Sequence, residues 1–184
     1  MTDERADLKS EAATQNDSTE LTHVDSKGHV RMVNIGEKVI SHRVSVARAE
    51  VHMAAATLAK IADGQIPKGD VLATARLAGI QAAKRTGEWI PLAHPLPLDA
   101  VEVTLTPDPD IPAILIEARA ETHWRTGVEM EAMVAASAAG LTVYDMCKAI
   151  DRGMRVEHTR LIHKRGGKSG TWNRPGELSP GKFK

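Results

Sequence analysis

Aromatic side chains and cysteine are both scarce in this sequence of 184 residues, which holds one Phe, one Tyr, three Trp and one Cys. A single cysteine excludes an intrachain disulfide and a zinc site built from several cysteines, so a reducing compartment is the default expectation. With so few aromatic rings, the core must be aliphatic and rich in alanine, and such small side chains permit close helix packing.

The sequence also lacks a charge surplus and a long apolar run. It has 24 basic and 24 acidic residues, and zero formal charge argues against a general nucleic-acid-binding protein, which is usually basic. The longest apolar run, 132–144, is shorter than the stretch of about 18 residues that spans a membrane. The first twenty residues contain no apolar signal region. We therefore predict a cytoplasmic protein that binds neither nucleic acid nor membrane.

Composition divides the chain into three predicted segments. Residues 1–20 hold six acids, two bases and few large apolar groups, which predicts a disordered N-terminal tail. Residues 21–170 form a single predicted domain, and residues 171–184 a flexible C-terminal tail. Ten bases against three acids in 148–184 indicate an anion site there, although a solvated basic surface would have the same composition.

The hydrophobic pattern predicts an α+β fold. β-branched residues predict a strand over 39–53 whose facing changes near residue 46, at a bulge. Two helices are expected to follow, over 54–63 and 70–84. A hairpin then pairs 101–105 with 114–120 and turns at 106–109. A long helix over 128–150 and a last strand over 155–164 complete the predicted elements. With the short first helix set aside, the order is β-α-β-β-α-β, which is typical of a ferredoxin-like antiparallel sheet with helices on one face.

Asp145 and Lys148 are three residues apart near the end of the long predicted helix, so both side chains share one face. Such a pair can be an ordinary surface ion pair, with the acid N-terminal to the base as helices prefer. It can also be a proton-transfer pair, if partial burial shifts both pKa values. The residues alone leave both interpretations open.

Three other residues admit two interpretations each. Glu129 and Glu131 stand at the start of the long helix, where the helix dipole favours acids, but one carboxylate could also accept hydrogen bonds from a substrate amide or guanidine edge. The prolines of 91–97 hold His94 extended, which suits a group that points into a site and equally one bonded to a backbone carbonyl.

The glycine-rich segment 166–170 contains Lys168 and resembles a loop that cradles phosphate through backbone N–H groups. It is not a P-loop of the nucleotide triphosphatases, because Ile162 stands at the position of the first glycine. Lys68, just before a helix that Asp70 can cap, is a second candidate contact for an anion.

Motifs for metal and cofactor binding are missing. The eight histidines are scattered without an HExxH pattern, and there is no cysteine cluster, no GxSxG and no glycine fingerprint of a dinucleotide-binding fold. We therefore predict no metal site and no cofactor.

Six ordered segments together resemble a known enzyme family. They include Lys68-Gly-Asp, Ile90-Pro-Leu-Ala-His-Pro-Leu and Gly166-Gly-Lys-Ser-Gly, and the other three cover 73–86, 126–132 and 141–149. In this order and spacing they are similar to the cyclic pyranopterin monophosphate synthases, the molybdenum-cofactor biosynthesis protein C family. The resemblance covers roughly residues 21–170.

The resemblance implies a fold, a reaction and an assembly. The family is ferredoxin-like and rearranges 3′,8-cyclo-7,8-dihydroguanosine 5′-triphosphate to cyclic pyranopterin monophosphate, with release of pyrophosphate. Its members assemble as homohexamers, trimers of dimers, with active sites at subunit interfaces. The chain is accordingly expected to be a lyase whose only other partner is its small-molecule substrate.

The resemblance also implies the roles of individual residues. Asp145 matches the catalytic aspartate and Lys148 its partner lysine. The matched substrate-binding positions fall in five parts of the chain; they are Leu92, Ala93, His94, Met130 and Glu131, and less securely Arg43, Lys68, Glu129, Lys164 and Lys168.

One departure keeps alternative functions open. Ala93 stands where the family commonly has cysteine, so an inactive scaffold of the same family is one alternative. A different phosphoryl-handling nucleotide enzyme is another, with Glu129 and Glu131 as its candidate metal-binding carboxylates. An RNA-binding ferredoxin-like module is disfavoured, because the strands at 101–105 and 114–120 carry no aromatic residue for base stacking.

Overall fold

The computed structural model describes residues 28–182. The chain divides into two units, Met1–Val33 and Asn34–Lys184. The predicted disordered tail at 1–20 lies outside the described residues. In the first unit the described residues 28–32 are exposed. All helices and strands named below belong to the second unit.

The second unit is an antiparallel sheet packed against helices. Its elements in chain order are β1 Ser41–His52, α1 Ala55–Ala62, α2 Val71–Ala83, α3 Thr86–Trp89, β2 Ala100–Asp108, β3 Ala113–Trp124, α4 Glu129–Cys147, β4 Arg155–Arg165 and β5 Thr171–Asn173. The strands lie in the order β2-β3-β1-β4-β5, and every neighbouring pair is antiparallel. The predicted α+β class is confirmed. The short helix α3 and the strand β5 were not among the predicted elements.

Local chemistry sets several of the observed boundaries. The Asp70 carboxylate accepts a hydrogen bond from the Ala73 N–H at 2.9 Å, so the predicted cap of α2 is confirmed. The pairing of β1 with β4 shifts register between Val46 and Ala47, but the extra residue lies in β4. β1 itself pairs with β3 in unbroken register, so the predicted change of its facing near residue 46 is not observed. β2 continues through Pro107, beyond its predicted end, because an edge strand tolerates a residue without an N–H.

The core lies between the sheet and helices α2 and α4, and it consists of small aliphatic side chains. Ala47, Ala49 and Val51 of β1 are at most 1% exposed. A Cβ atom at Gly79 of α2 would lie 2.9 Å from the Ala135 carbonyl oxygen of α4, so glycine allows these two helices to approach closely. This is the alanine-rich core that the scarcity of aromatic residues predicts.

Helix α4 buries a different face from the one that its apolar repeat indicates. The repeat that predicts the helix includes Leu141 and Tyr144, yet Leu141 is 54% exposed and Tyr144 only half-buried. The face turned to the sheet carries mostly small residues instead, among them Ala132, Ala139 and Val143. The spacing therefore identifies the helix correctly but not its buried face.

The sheet face opposite the helices is covered by the C-terminal segment. Arg48 lies on that face, since its neighbours Ala47 and Ala49 point into the core. Arg48 is 5% exposed, and its guanidinium binds Glu117 at 2.8 Å, Glu177 at 3.0 Å and the Lys182 carbonyl at 2.7 Å. A buried guanidinium requires such partners, so residues 177–182 lie against the sheet. Together with β5, this differs from the flexible tail predicted for 171–184.

None of the helices in residues 28–182 combines the length and apolar character that crossing a membrane requires.

Candidate active site

The sequence-predicted site residues gather mainly at the two ends of α4. We call Asp145, Lys148 and Lys68 the C-terminal cluster, and Glu129, Glu131 and Lys164 the N-terminal cluster. Glu129 and Asp145 are separated by about 24 Å along a straight helix axis, given 1.5 Å per residue. Within one chain, the two clusters therefore cannot both touch the same reacting atoms.

The C-terminal cluster is a carboxylate held by two lysines. Lys148 Nζ lies 2.7 Å from Asp145 Oδ1, and Lys68 Nζ lies 2.9 Å from Asp145 Oδ2. Lys68 also donates to the Asp145 backbone carbonyl at 2.8 Å. The hydrogen bonds from Lys148 and then Lys68 lower the pKa of Asp145 to about 2, and the same contact raises the pKa of Lys148. Asp145 is thus an anion and Lys148 a cation at neutral pH.

The lysine from outside the helix distinguishes this cluster from a simple i,i+3 pair. Lys68 reaches Asp145 from the loop between α1 and α2, where Gly69 adopts a φ of 99° just before the Asp70 cap. Asp145 remains 57% exposed and Lys148 52%. The cluster is accordingly open to a ligand, as a surface ion pair would also be.

The N-terminal cluster contains a buried acid. Glu131 is 4% exposed, and burial raises its pKa to about 7, with a smaller contribution from the charge of Glu129. Glu129 itself binds Lys164 Nζ at 3.1 Å, with both side chains 30% exposed. An acid with a pKa near neutrality can both donate and accept a proton at physiological pH.

Arg43 lies beneath the glycine-rich loop that follows β4. A Cβ atom at Gly167 would overlap the Arg43 guanidinium, and Gly167 has a φ of 73°, so two constraints favour glycine there. The loop is closed by the Gly170 N–H, which donates to the Gly167 carbonyl at 3.2 Å. Arg43 Nε is buried without a hydrogen-bond partner in the described part of the chain, while Lys168 is exposed in the loop above.

The proline-rich segment lies beside the middle of α4. Leu92, Ala93 and His94 are all half-buried, and the Ala93 N–H donates to the Ile90 carbonyl at 3.0 Å. Ile90 packs with Val134, which places the start of this segment against α4. Met130, also half-buried, occupies the first turn of that helix.

Two cavities of the described part of the chain lie away from these clusters. One of about 620 Å³ is lined by Arg48, Arg160 and Glu177, and one of about 460 Å³ by His52 and Asp151. None of the predicted site residues lines either cavity. Neither cavity therefore identifies the predicted site in the single chain.

Sequence reasoning named the charged residues of both clusters but missed how they combine. The contact between Lys68 and Asp145 joins residues 77 positions apart, and no local spacing signals it. The burial of Glu131 was missed for a similar reason, because acids at a helix start are usually solvated.

Comparisons with known proteins cover most of the chain and agree with one another. The sequence model that defines the MoaC family matches residues 32–167. A protein of Chloroflexus aurantiacus named cyclic pyranopterin monophosphate synthase is 57% identical over 156 residues, covering 85% of this chain and 96% of its own length. Proteins of the same name from Thermomicrobium roseum and Nostoc sp. are 56% and 53% identical, covering 84% and 86% of this chain and 93% and 94% of their own lengths.

Proposed function

The chain belongs to the MoaC family, and we therefore propose that it is a cyclic pyranopterin monophosphate synthase of molybdenum cofactor biosynthesis. It converts 3′,8-cyclo-7,8-dihydroguanosine 5′-triphosphate to cyclic pyranopterin monophosphate and pyrophosphate. The observation that carries this proposal is the 57% identity over 156 residues to a relative of that name. The family resemblance seen in the sequence is thereby confirmed.

We infer that the active site is completed between two copies of the chain. The C-terminal and N-terminal clusters are too far apart to meet within one chain, yet the reaction requires phosphate binding and proton transfer around one substrate. Leu77 of α2 and Leu141 of α4 are 60% and 54% exposed, which is typical of side chains that pack against another subunit. These features support the homohexamer, a trimer of dimers, that the family resemblance implies.

The basic residues fit a triphosphate substrate. Arg43 offers a buried N–H that has no partner among residues 28–182, beneath the glycine-rich loop, and Lys168 offers an exposed ammonium on that loop. Lys68 and Lys164 hold carboxylates in the single chain and can exchange them for phosphate oxygens. Cyclisation forms a bond between a ribose oxygen and the α-phosphorus while the bond to pyrophosphate breaks. Cations near the departing pyrophosphate stabilise the negative charge that develops on it.

The titratable groups fit proton transfer with separate roles. Asp145 is an anion that can only accept a proton at neutral pH, and Lys148 a cation that can only donate one. Glu131, with a pKa of about 7, can do either. Ring opening and pterin closure each require protons to be added and removed. These three side chains supply both the proton donors and the proton acceptors for those steps.

Ala93 is compatible with activity in this proposal. The segment holding Ala93 is fixed through its backbone, since the Ala93 N–H bonds to the Ile90 carbonyl, and this contact requires no thiol. We therefore assign the segment a role in substrate contact and place the protein in the cytoplasm, the reducing compartment that suits its one buried cysteine, Cys147.

The test is incubation of the purified chain with the cyclic dihydro-GTP intermediate, with pyrophosphate and pterin product followed together. Equal amounts of both products, lost in Asp145→Asn, are expected. Binding without turnover would instead identify an inactive scaffold of the family. Release of phosphate or pyrophosphate without pterin would identify a different phosphoryl-handling enzyme.

A further inference from the structure

Three side chains that the proposed function does not use converge at the end of β1. Glu50 and His52 alternate with the core residues Ala49 and Val51, so they lie on the sheet face opposite the helices. His158 projects toward them from β4. Glu50 Oε2 lies 2.9 Å from His52 Nε2 and 3.0 Å from His158 Nδ1, and the three atoms all lie within 4.8 Å of one another.

The backbone at His158, the third residue of this cluster, is strained. Its φ is 55°, a left-handed conformation that glycine adopts freely and side chains rarely do. It occurs at a bulge, because Arg48 and Glu50 of β1 pair with Arg160 and Glu157 of β4, which leaves one extra residue in β4. Strained positions of this kind concentrate at functional sites, and here the strain accompanies an imidazole that contacts Glu50.

The surrounding charges leave one carboxylate oxygen for the two imidazoles. Arg160 Nη1 lies 3.2 Å from Glu50 Oε1 and also binds Glu177, so it holds the other oxygen of Glu50 in place. A second carboxylate, Glu157, has Oε2 at 4.0 Å from His52 Nε2. Glu50 Oε2 is thus fixed between two nitrogen atoms that are both potential metal ligands.

We propose that Glu50, His52 and His158 bind a divalent transition-metal ion, for which zinc is the best match. Two imidazoles and one carboxylate are a known ligand set of zinc sites that keep a fourth position open, and they suit late first-row metals generally. Around a tetrahedral zinc with bonds of about 2.0–2.1 Å, ligand atoms are about 3.3 Å apart. The 2.9 and 3.0 Å separations need only a slight opening to admit the ion.

The open coordination position faces solvent and lies away from α4. The His158 side chain is 60% exposed, whereas Glu50 and His52 are largely buried, so an ion enters from the side of His158. His52 also lines the cavity of about 460 Å³, which places ligand space beside the ion. Bound metal would join β1 to β4 at the bulge. This site is independent of the proposed synthase reaction.

The test is calorimetric titration of zinc into the untagged chain after chelator dialysis. The wild type is expected to take up one ion per chain through this site. His158→Gly removes a ligand while supplying the residue that a positive φ favours, so its metal-free melting temperature should equal or exceed that of the wild type. Its zinc affinity should fall on the order of tenfold or more.

His123→Ala is the matched control, because it removes an exposed histidine of β3 that contacts Asp99, outside the cluster. It should bind zinc as the wild type does. In addition, zinc should raise the melting temperature of the wild type and of His123→Ala but not of His158→Gly, since only a bound ion stabilises the fold. Absence of zinc uptake by the wild type, or equal affinity in His158→Gly, would overturn the proposal.

Discussion

The two ends of α4 place acids in opposite environments. At the C-terminal end, Asp145 is more than half exposed and held by two lysines, which lowers its pKa to about 2. At the N-terminal end, Glu131 is buried, which raises its pKa to about 7. Burial disfavours a charged acid and nearby cations favour it, so one helix carries both a fixed anion and a proton-exchanging acid. Carboxyl groups whose pKa values are driven apart mark different chemical roles.

The most severe test of this comparison is to remove the fixed anion or its partner. Asp145→Asn keeps the shape but removes the titratable group, and Lys148→Ala removes the proton donor. Each should lower turnover on the order of 10²-fold or more, the usual worth of general acid–base catalysis. The double variant should be little worse than either single variant, because residues that act as a unit are not additive.

Turnover at saturating substrate and a thermal melt for each variant check this expectation. Melting temperature and assembly should be unchanged, since both side chains are exposed. Modest losses that add in the double variant would mean that Asp145 and Lys148 form only a surface ion pair.

The second test concerns the buried acid and its dependence on pH. The folded-state pKa of Glu131 is raised from 4.5 to about 7, so its contribution to stability is fully present below pH 4.5 and is lost as pH rises through 7. Glu131→Gln lacks this loss. It should therefore be more stable than the wild type at pH 8, by up to about 3 kcal/mol, and the difference should shrink toward pH 5.

Urea unfolding of both proteins at pH 5, 6.5 and 8 measures this difference. Glu102→Gln is a suitable control, because Glu102 is an exposed acid of the edge strand β2, outside both clusters. A pH-independent difference between Glu131→Gln and the wild type would show that Glu131 is not held as a neutral acid.

A smaller effect is expected for a residue that only binds the phosphates of the substrate and transfers no proton. Lys168→Ala should weaken triphosphate binding about tenfold, the value of one charge-assisted hydrogen bond, and leave the melting temperature unchanged. Lys60→Ala, at the end of α1, is the control for a general loss of one positive charge. Equal affinity in Lys168→Ala and the wild type at matched salt would remove Lys168 from the site.

The smallest effect is expected at the position where the chain departs from its family resemblance. Ala93→Cys restores the thiol, yet turnover should stay within about twofold, less than 0.5 kcal/mol of barrier, because the segment is held by its backbone. Turnover measured under reducing conditions decides this. A large gain in activity would mean that the thiol takes part in the reaction and that the natural alanine impairs it.

Much of the fold could be predicted because its signals are local. The Asp70 cap and the long helix ending near Lys148 both follow from residues within a few positions of one another. The helix α3 was missed because four residues carry too little periodicity. The C-terminal segment was misjudged because its partner, Arg48, lies on a strand more than a hundred residues earlier.

By itself, the sequence determined the α+β class, the alanine-rich core, the family and the identity of the charged residues in both clusters, because patterning and motif spacing are properties of neighbouring residues. Only the tertiary structure decided which charges meet. It brought Lys68 to Asp145, buried Glu131, and joined Glu50 and His52 to His158 across two strands. The physical reason is that pKa values, ion pairs and ligand sets depend on distances in space and on desolvation, and both are set by long-range packing.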